Sequence, residues 1–158
     1  MEIIFGRNKE EHPEPIKAKV QGQLPTWLQG ILLQNGPGMH TIGDTKYNHW
    51  FDGMALLHSF TFKNGEVYYR SKYRQSDTYN CSIEANQILV SEFGTMAYPD
   101  PYKNIFDKAF SYLSHTIPEF IDNCLINIMK TEDDFYSTGE TNLIRKINPQ
   151  TLETLEKV

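Results

Sequence analysis

Apolar and polar residues alternate most cleanly near the middle of the chain. Over residues 54–62, Met54, Leu56, His58, Phe60 and Phe62 share one face of an extended strand. Asn64-Gly65 follows, a dipeptide suited to the positive φ angles of a tight hairpin turn. Residues 66–73 then return, with Val67, Tyr69, Ser71 and Tyr73 on one face and Glu66, Tyr68, Arg70 and Lys72 on the other. A β-hairpin is predicted here. Upstream, residues 1–15 are polar and proline-punctuated and read as an N-terminal arm, followed by an edge strand over residues 16–23. Pro25-Thr26-Trp27-Leu28-Gln29-Gly30 reads as an apolar corner. Ile31-Leu32-Leu33 reads as a short buried run that stops at Asn35-Gly36-Pro37-Gly38.

The second half changes period and then changes back. Residues 87–92 read as a short strand. After Pro99-Asp100-Pro101, Ile105, Phe106, Ala109, Phe110 and Leu113 recur at helical spacing, so an amphipathic helix is predicted near 104–113, ended by Pro118 at the latest. Residues 125–130, 135–138, 142–147 and 152–158 are four short strands separated by turn-forming residues. Four consecutive antiparallel strands are the content of a propeller blade. No repeat of fixed period accompanies them, so the pattern alone leaves the propeller reading open. A blade takes about 40–50 residues and closure at least about four blades. The strands present amount to about two blades, so the expectation is a mainly β chain that is a fragment of a larger architecture.

Composition narrows the function classes. Nine Phe, nine Tyr and two Trp make 13% of the 158 residues and fall mostly between Gly, Pro, Asn and Asp, which favours β structure. Fifteen Lys and Arg against 20 Asp and Glu give a net charge of −5, which argues against nucleic acid as a partner. Mean hydropathy is −0.51, and no run approaches the roughly 18–20 apolar residues of a membrane-spanning helix. The opening residues resemble neither a secretory signal nor a transit peptide, and two cysteines make no disulfide framework. A reducing, cytosolic setting is expected.

Few residues announce chemistry on their own. Gly36-Pro37-Gly38-Met39-His40-Thr41 superficially resembles a dinucleotide loop, but Pro37 has no N–H to offer a phosphate and no helical pattern follows. His12, His40, His49, His58 and His115 show no short metal-binding spacing. Glu140 is a loop carboxylate between two predicted strands. No nucleophile–base arrangement can be singled out from spacing.

A set of longer motifs adds a family. Leu24-Pro25-Thr26-Trp27-Leu28-Gln29-Gly30, Asn35-Gly36-Pro37-Gly38 and Tyr47-Asn48-His49-Trp50-Phe51-Asp52-Gly53-Met54-Ala55-Leu56-Leu57-His58 resemble the carotenoid cleavage oxygenases. So do Ser76-Asp77-Thr78-Tyr79, Ser91-Glu92-Phe93-Gly94-Thr95, Pro99-Asp100-Pro101, Glu140-Thr141-Asn142 and Lys146-Ile147-Asn148-Pro149, in family order. Residues 1–8 and 110–118 resemble the branch that splits β-carotene centrally into retinal; eccentric carotenoid cleavage and retinoid isomerohydrolysis are the other branches. A truncated, non-enzymatic lipid- or carotenoid-binding product is the remaining reading.

The resemblance implies a seven-bladed β-propeller, of which residues 16–158 form an incomplete part. It implies Fe(II) on the axis, held by four histidines that lie beyond Val158, so none of the five histidines present is a metal ligand. It implies β-carotene and O2 as partners of the complete protein, with no iron retained by this stretch alone. Glu140 matches the family carboxylate that accepts a hydrogen bond from a ligand histidine, which fixes the ring and raises its basicity. Phe51 and Phe93 match aromatics near the substrate tunnel. Ile105, Phe106, Phe110 and Leu113 match a segment that touches membranes, where flanking Lys103 and Lys108 suit a lipid interface. Relatives often carry Cys where this chain has Tyr102. Three further departures stand out: Gln34 for the usual Arg, Arg74 for an apolar residue at a half-buried strand end, and Gly139 for the usual Ser or Thr, which loosens the loop carrying Glu140.

Overall fold

Two four-stranded antiparallel sheets carry the architecture, in a computed structural model that describes residues 10–99, 104 and 121–158. The first sheet has β1 (His12–Lys17), β2 (Gly30–Met39), β5 (Met54–Lys63) and β6 (Glu66–Tyr73) in the order β1-β6-β5-β2. The second has β7 (Asn127–Thr131), β8 (Asp134–Thr138), β9 (Ile144–Ile147) and β10 (Thr154–Lys157) in the order β10-β9-β8-β7. A two-stranded ribbon, β3 (Thr41–Ile42) with β4 (Thr45–Lys46), and the helix α1 (Asp77–Glu84) complete the regular elements among the described residues, with one 3₁₀ turn at Trp50–Asp52. This is the two blades' worth of strands that the periodicity predicts.

The β5–β6 hairpin forms as its pattern dictates. Leu56 pairs with Tyr73, His58 with Ser71, Phe60 with Tyr69 and Phe62 with Val67, so the predicted faces coincide. Asn64 and Gly65 take φ of 54° and 76°, the positive values a two-residue turn requires. The first half of β5 is buried on both sides. Met54 and Leu56 join Ile42, Tyr47, Tyr73 and Ile88 in one core cluster, while Leu57 packs with Ile147 of β9 and Leu152 of the β9–β10 connection in another.

Several predicted elements move. The strand expected over residues 16–23 lies at His12–Lys17, so residues read as arm take part in the sheet; Pro13 and Pro15 are tolerated because β1 is an edge, and the register shifts between His12 and Ile16. β2 does not stop at Asn35 but runs through Asn35-Gly36-Pro37-Gly38, pairing Asn35 with Leu57, Gly36 with Leu56 and Pro37 with Ala55 before a bulge. Gly38 permits this, because a Cβ there would sit 2.5 Å from the Leu56 Cβ. Ile31 and Leu32, expected to be buried, are largely exposed on this edge strand. Residues 87–92 form no strand: side chains take the backbone instead, with the Ile88 and Leu89 N–H groups donating to Thr45 Oγ1 and Ser82 Oγ. α1 is an unpredicted helix, capped by Ser76, whose Oγ accepts from the Tyr79 N–H. The amphipathic helix near 104–113, with Ile105, Phe106, Phe110 and Leu113, lies outside the described residues.

Candidate functional site

Residues 121–124 join the two sheets, and the site is built on them. Asp122 is fully buried and its carboxylate accepts from the Asp77 N–H (2.9 Å), the Thr78 N–H (3.0 Å) and the Thr78 hydroxyl (2.8 Å) at the start of α1. It also accepts from Arg145 on β9, through Nε at 3.0 Å and through a second guanidinium nitrogen. Burial alone would raise this carboxyl; the donors from Thr78 and Arg145 outweigh burial and hold it below the usual carboxylate range. Asn123 reaches the other way, accepting from the Ala55 N–H at 2.8 Å and donating to the Gly53 carbonyl at 3.0 Å. Cys124 donates its thiol to the Leu143 carbonyl, and its own carbonyl accepts from the Asn35 amide at 2.7 Å.

This hub holds the Glu140 loop from one side. Thr141 Oγ1 donates to the Ile121 carbonyl at 2.7 Å. Gly139 lies against the Cys124 backbone, where an added Cβ would come within 3.1 Å of the Cys124 Cα. The glycine therefore permits a close backbone approach as well as the extra freedom read from the sequence. Glu140 itself is exposed, and its carboxylate makes no hydrogen bond or ion pair among the described residues. Both oxygens remain available as acceptors.

The opposite wall comes from two segments 40 residues apart in the chain. Asp52 is fully buried, and its carboxylate accepts from the Gly94 N–H (3.0 and 3.1 Å) and the Thr95 hydroxyl (2.5 Å). The Thr95 hydroxyl oxygen accepts in turn from the Asn48 N–H at 2.7 Å. Residues 48–52 and 93–95 are thus bolted together, and the flanking Phe51 and Phe93 are presented with 52% and 71% of their surface exposed.

Phe51, Phe93 and Glu140 line one cavity of about 290 Å³, together with Ile121, Leu125 and Ile126. The three side chains singled out in the sequence are thus neighbours. Glu92 lines the same cavity and was not singled out, although it lies inside a quoted motif. Burial, reinforced by the nearby Asp52 carboxylate, pushes its carboxyl up to about 8 against a single weak donor, the Asn123 amide at 3.4 Å. No local pattern foretells that, since the groups responsible come from residues 52, 122, 123 and 140. A larger hollow of about 480 Å³ lies between β2 and β7, lined by Gln34, Asn35, His58 and Asn127 among others, and holds none of the candidate residues.

Arg74 departs from expectation most. It is completely buried rather than half-buried, and none of its three guanidinium nitrogens has a hydrogen-bond partner among the described residues. Burial, and after it the neighbouring Arg145, pull its pKa down to about 10. Among the described residues no group of three or more His, Cys, Asp or Glu side chains is placed to hold a metal ion, and no helix is long and apolar enough to cross a membrane.

Comparison with known proteins adds an independent line. A model of the retinal pigment epithelial membrane protein family matches residues 5–158. The chain is 87% identical over all 158 residues to beta,beta-carotene 15,15'-dioxygenase of Gallus gallus and 77% identical to that of Homo sapiens, covering 30% and 29% of those proteins. It is 48% identical over 151 residues to the mitochondrial carotenoid-cleaving dioxygenase of Homo sapiens, covering 26% of it. Among solved structures, a point mutant of Synechocystis apocarotenoid oxygenase superposes with a TM-score of 0.79 at 25% identity, over 98% of this chain and 30% of that one. A cobalt-substituted form of the same oxygenase gives 0.76 at 24% identity. The chain therefore spans about 30% of the length of these two curated relatives.

Proposed function

The chain belongs to the retinal pigment epithelial membrane protein family, and on that premise we propose that it is the N-terminal portion of a non-haem Fe(II) dioxygenase that cleaves β-carotene centrally with O2 to give retinal. One observation carries the reading. A chain 87% identical to a β-carotene dioxygenase places Phe51, Phe93 and Glu140 around a single cavity.

Iron held by neutral imidazoles with an open position supplies O2 activation when bound. The described residues offer no ligand set of their own, and none of His12, His40, His49, His58 and His115 is assigned as a ligand; the ligands are assigned to residues beyond Val158. What this chain contributes is surroundings. Phe51 and Phe93 offer flat apolar surfaces to a conjugated hydrocarbon, and Ile121, Leu125 and Ile126 keep water off it. Glu140 offers a carboxylate to the outer N–H of a ligand histidine, which sets ring orientation. The residues Ile105, Phe106, Phe110 and Leu113, with Lys103 and Lys108, give the complete, cytosolic protein a peripheral contact with lipid through which an insoluble substrate enters.

The test is product analysis of the complete protein incubated with β-carotene and O2. Retinal as sole product is expected. A pair of unequal apocarotenals would assign the eccentric branch instead, and no turnover of an iron-loaded preparation would end the enzymatic reading. The 158 residues alone are expected neither to retain stoichiometric iron, by elemental analysis, nor to cleave β-carotene.

A further inference from the structure

His49 sits where the two halves of the aromatic wall meet. Its ring centroid lies 5.1 Å from that of Phe51 and 5.0 Å from that of Phe93, with interplanar angles of 67° and 66°. Both are edge-to-face contacts in the favourable range. Three features fix the imidazole there. Nδ1 accepts the Phe51 N–H at 3.2 Å, which caps the 3₁₀ turn and leaves the ring proton on Nε2. Gly94 packs directly on the histidine, since a Cβ on Gly94 would lie 2.4 Å from the His49 Cβ. Asp52 clamps the two backbone segments from behind through Gly94 and Thr95.

Phe51 and Phe93 touch no other aromatic ring among the described residues than His49. Both stand largely exposed at one cavity. Among the described residues His49 is the ring packed between them, in edge-to-face contact with both, so its placement bears on their separation and tilt. We propose that His49 is a positioning residue that sets the gap between Phe51 and Phe93 and thereby selects flat conjugated chains at this cavity. The substrate part of this statement rests on the functional reading above; the geometric part does not.

Two substitutions separate the ring from the cap. His49→Asn keeps a side-chain acceptor for the Phe51 N–H but removes the ring, whereas His49→Phe keeps a ring and removes the acceptor. In the complete protein, His49→Asn is expected to raise KM for β-carotene roughly five- to tenfold, the scale of one or two lost edge-to-face contacts, with kcat within about twofold. His49→Phe is expected to restore the wild-type KM. The reverse order, with His49→Asn normal and His49→Phe impaired, would reduce His49 to a helix cap and overturn the proposal. So would a fall in kcat at unchanged KM. Binding of micellar β-carotene, followed by tryptophan quenching, reads the same gap without turnover. Wild-type protein that binds but does not cleave β-carotene would sink the functional reading alone, while equal affinities of the wild type, His49→Asn and His49→Phe would sink this one.

Discussion

Arg145 and Asp122 form a buried ion pair that fastens the second sheet to the start of α1, with Nε donating to Oδ2 at 3.0 Å. The pair is closed on the helix side by Thr78 and the Asp77 N–H, so every strong acceptor site of the carboxylate is used. Buried carboxylates satisfied in this way stabilise a fold only while they stay charged.

Asp122→Asn is therefore expected to destabilise the complete protein by about 3–5 kcal/mol in denaturant unfolding, because Arg145 is left buried with, among the described residues, the exposed Asp77 carboxylate 3.0 Å away as its remaining ion-pair partner. The pH dependence follows from the direction of the Asp122 shift. Its folded-state pKa lies below the usual carboxylate value, so the contribution is complete above that value and is lost as pH falls through the lower, folded-state one. An acid limb that is unchanged in Asp122→Asn would contradict this.

Arg74→Leu is expected to raise stability. A guanidinium fully buried without hydrogen-bond partners among the described residues carries a desolvation cost that the nearby Asp122 carboxylate offsets only in part, and Arg145 repels it. An apolar side chain of similar length removes both costs, for a gain of about 1–4 kcal/mol and a higher melting temperature. A lower melting temperature would show that Arg74 has a partner that matters.

Glu92→Gln is expected to stabilise above pH 8 and to change little below pH 4.5. The Glu92 carboxyl holds its proton up to about 8 in the folded state against an ordinary 4.5, so the native chain binds the extra proton between those values. Native stability consequently falls as pH rises through that window and levels off above it. The amide cannot ionise and flattens the fall, by an amount on the order of a few kcal/mol. Melting temperatures of both proteins across pH 4–9 check the sign.

Glu140→Gln addresses the cavity-lining carboxylate that has no hydrogen-bond or ion-pair partner among the described residues. If it orients a ligand histidine, iron affinity of the complete protein drops roughly 10- to 100-fold while thermal stability of the metal-free protein stays within about 0.5 kcal/mol. Iron titration against a competing chelator measures the first quantity. Unaltered affinity would remove Glu140 from the site.

What the sequence determined alone is local. Strict alternation and Asn64-Gly65 specify the β5–β6 hairpin because both act within a few residues, and the same holds for the short strands of the second sheet. Its motifs also carried the family, and with it Phe51, Phe93 and Glu140. The ends of β1 and β2 were misjudged because proline and glycine mean something different on an edge strand, where no further ladder must be satisfied. Only the tertiary structure decided that Asp52 binds Gly94, that Asp122 binds Thr78 and Arg145, and that Glu92 is half-buried among acids. The hydrogen-bonded partners lie 23 to 44 residues apart along the chain, and no periodicity records them. Charge, burial and the aim of a ring are properties of what the chain folds against, so the site became legible only once both sheets were in place.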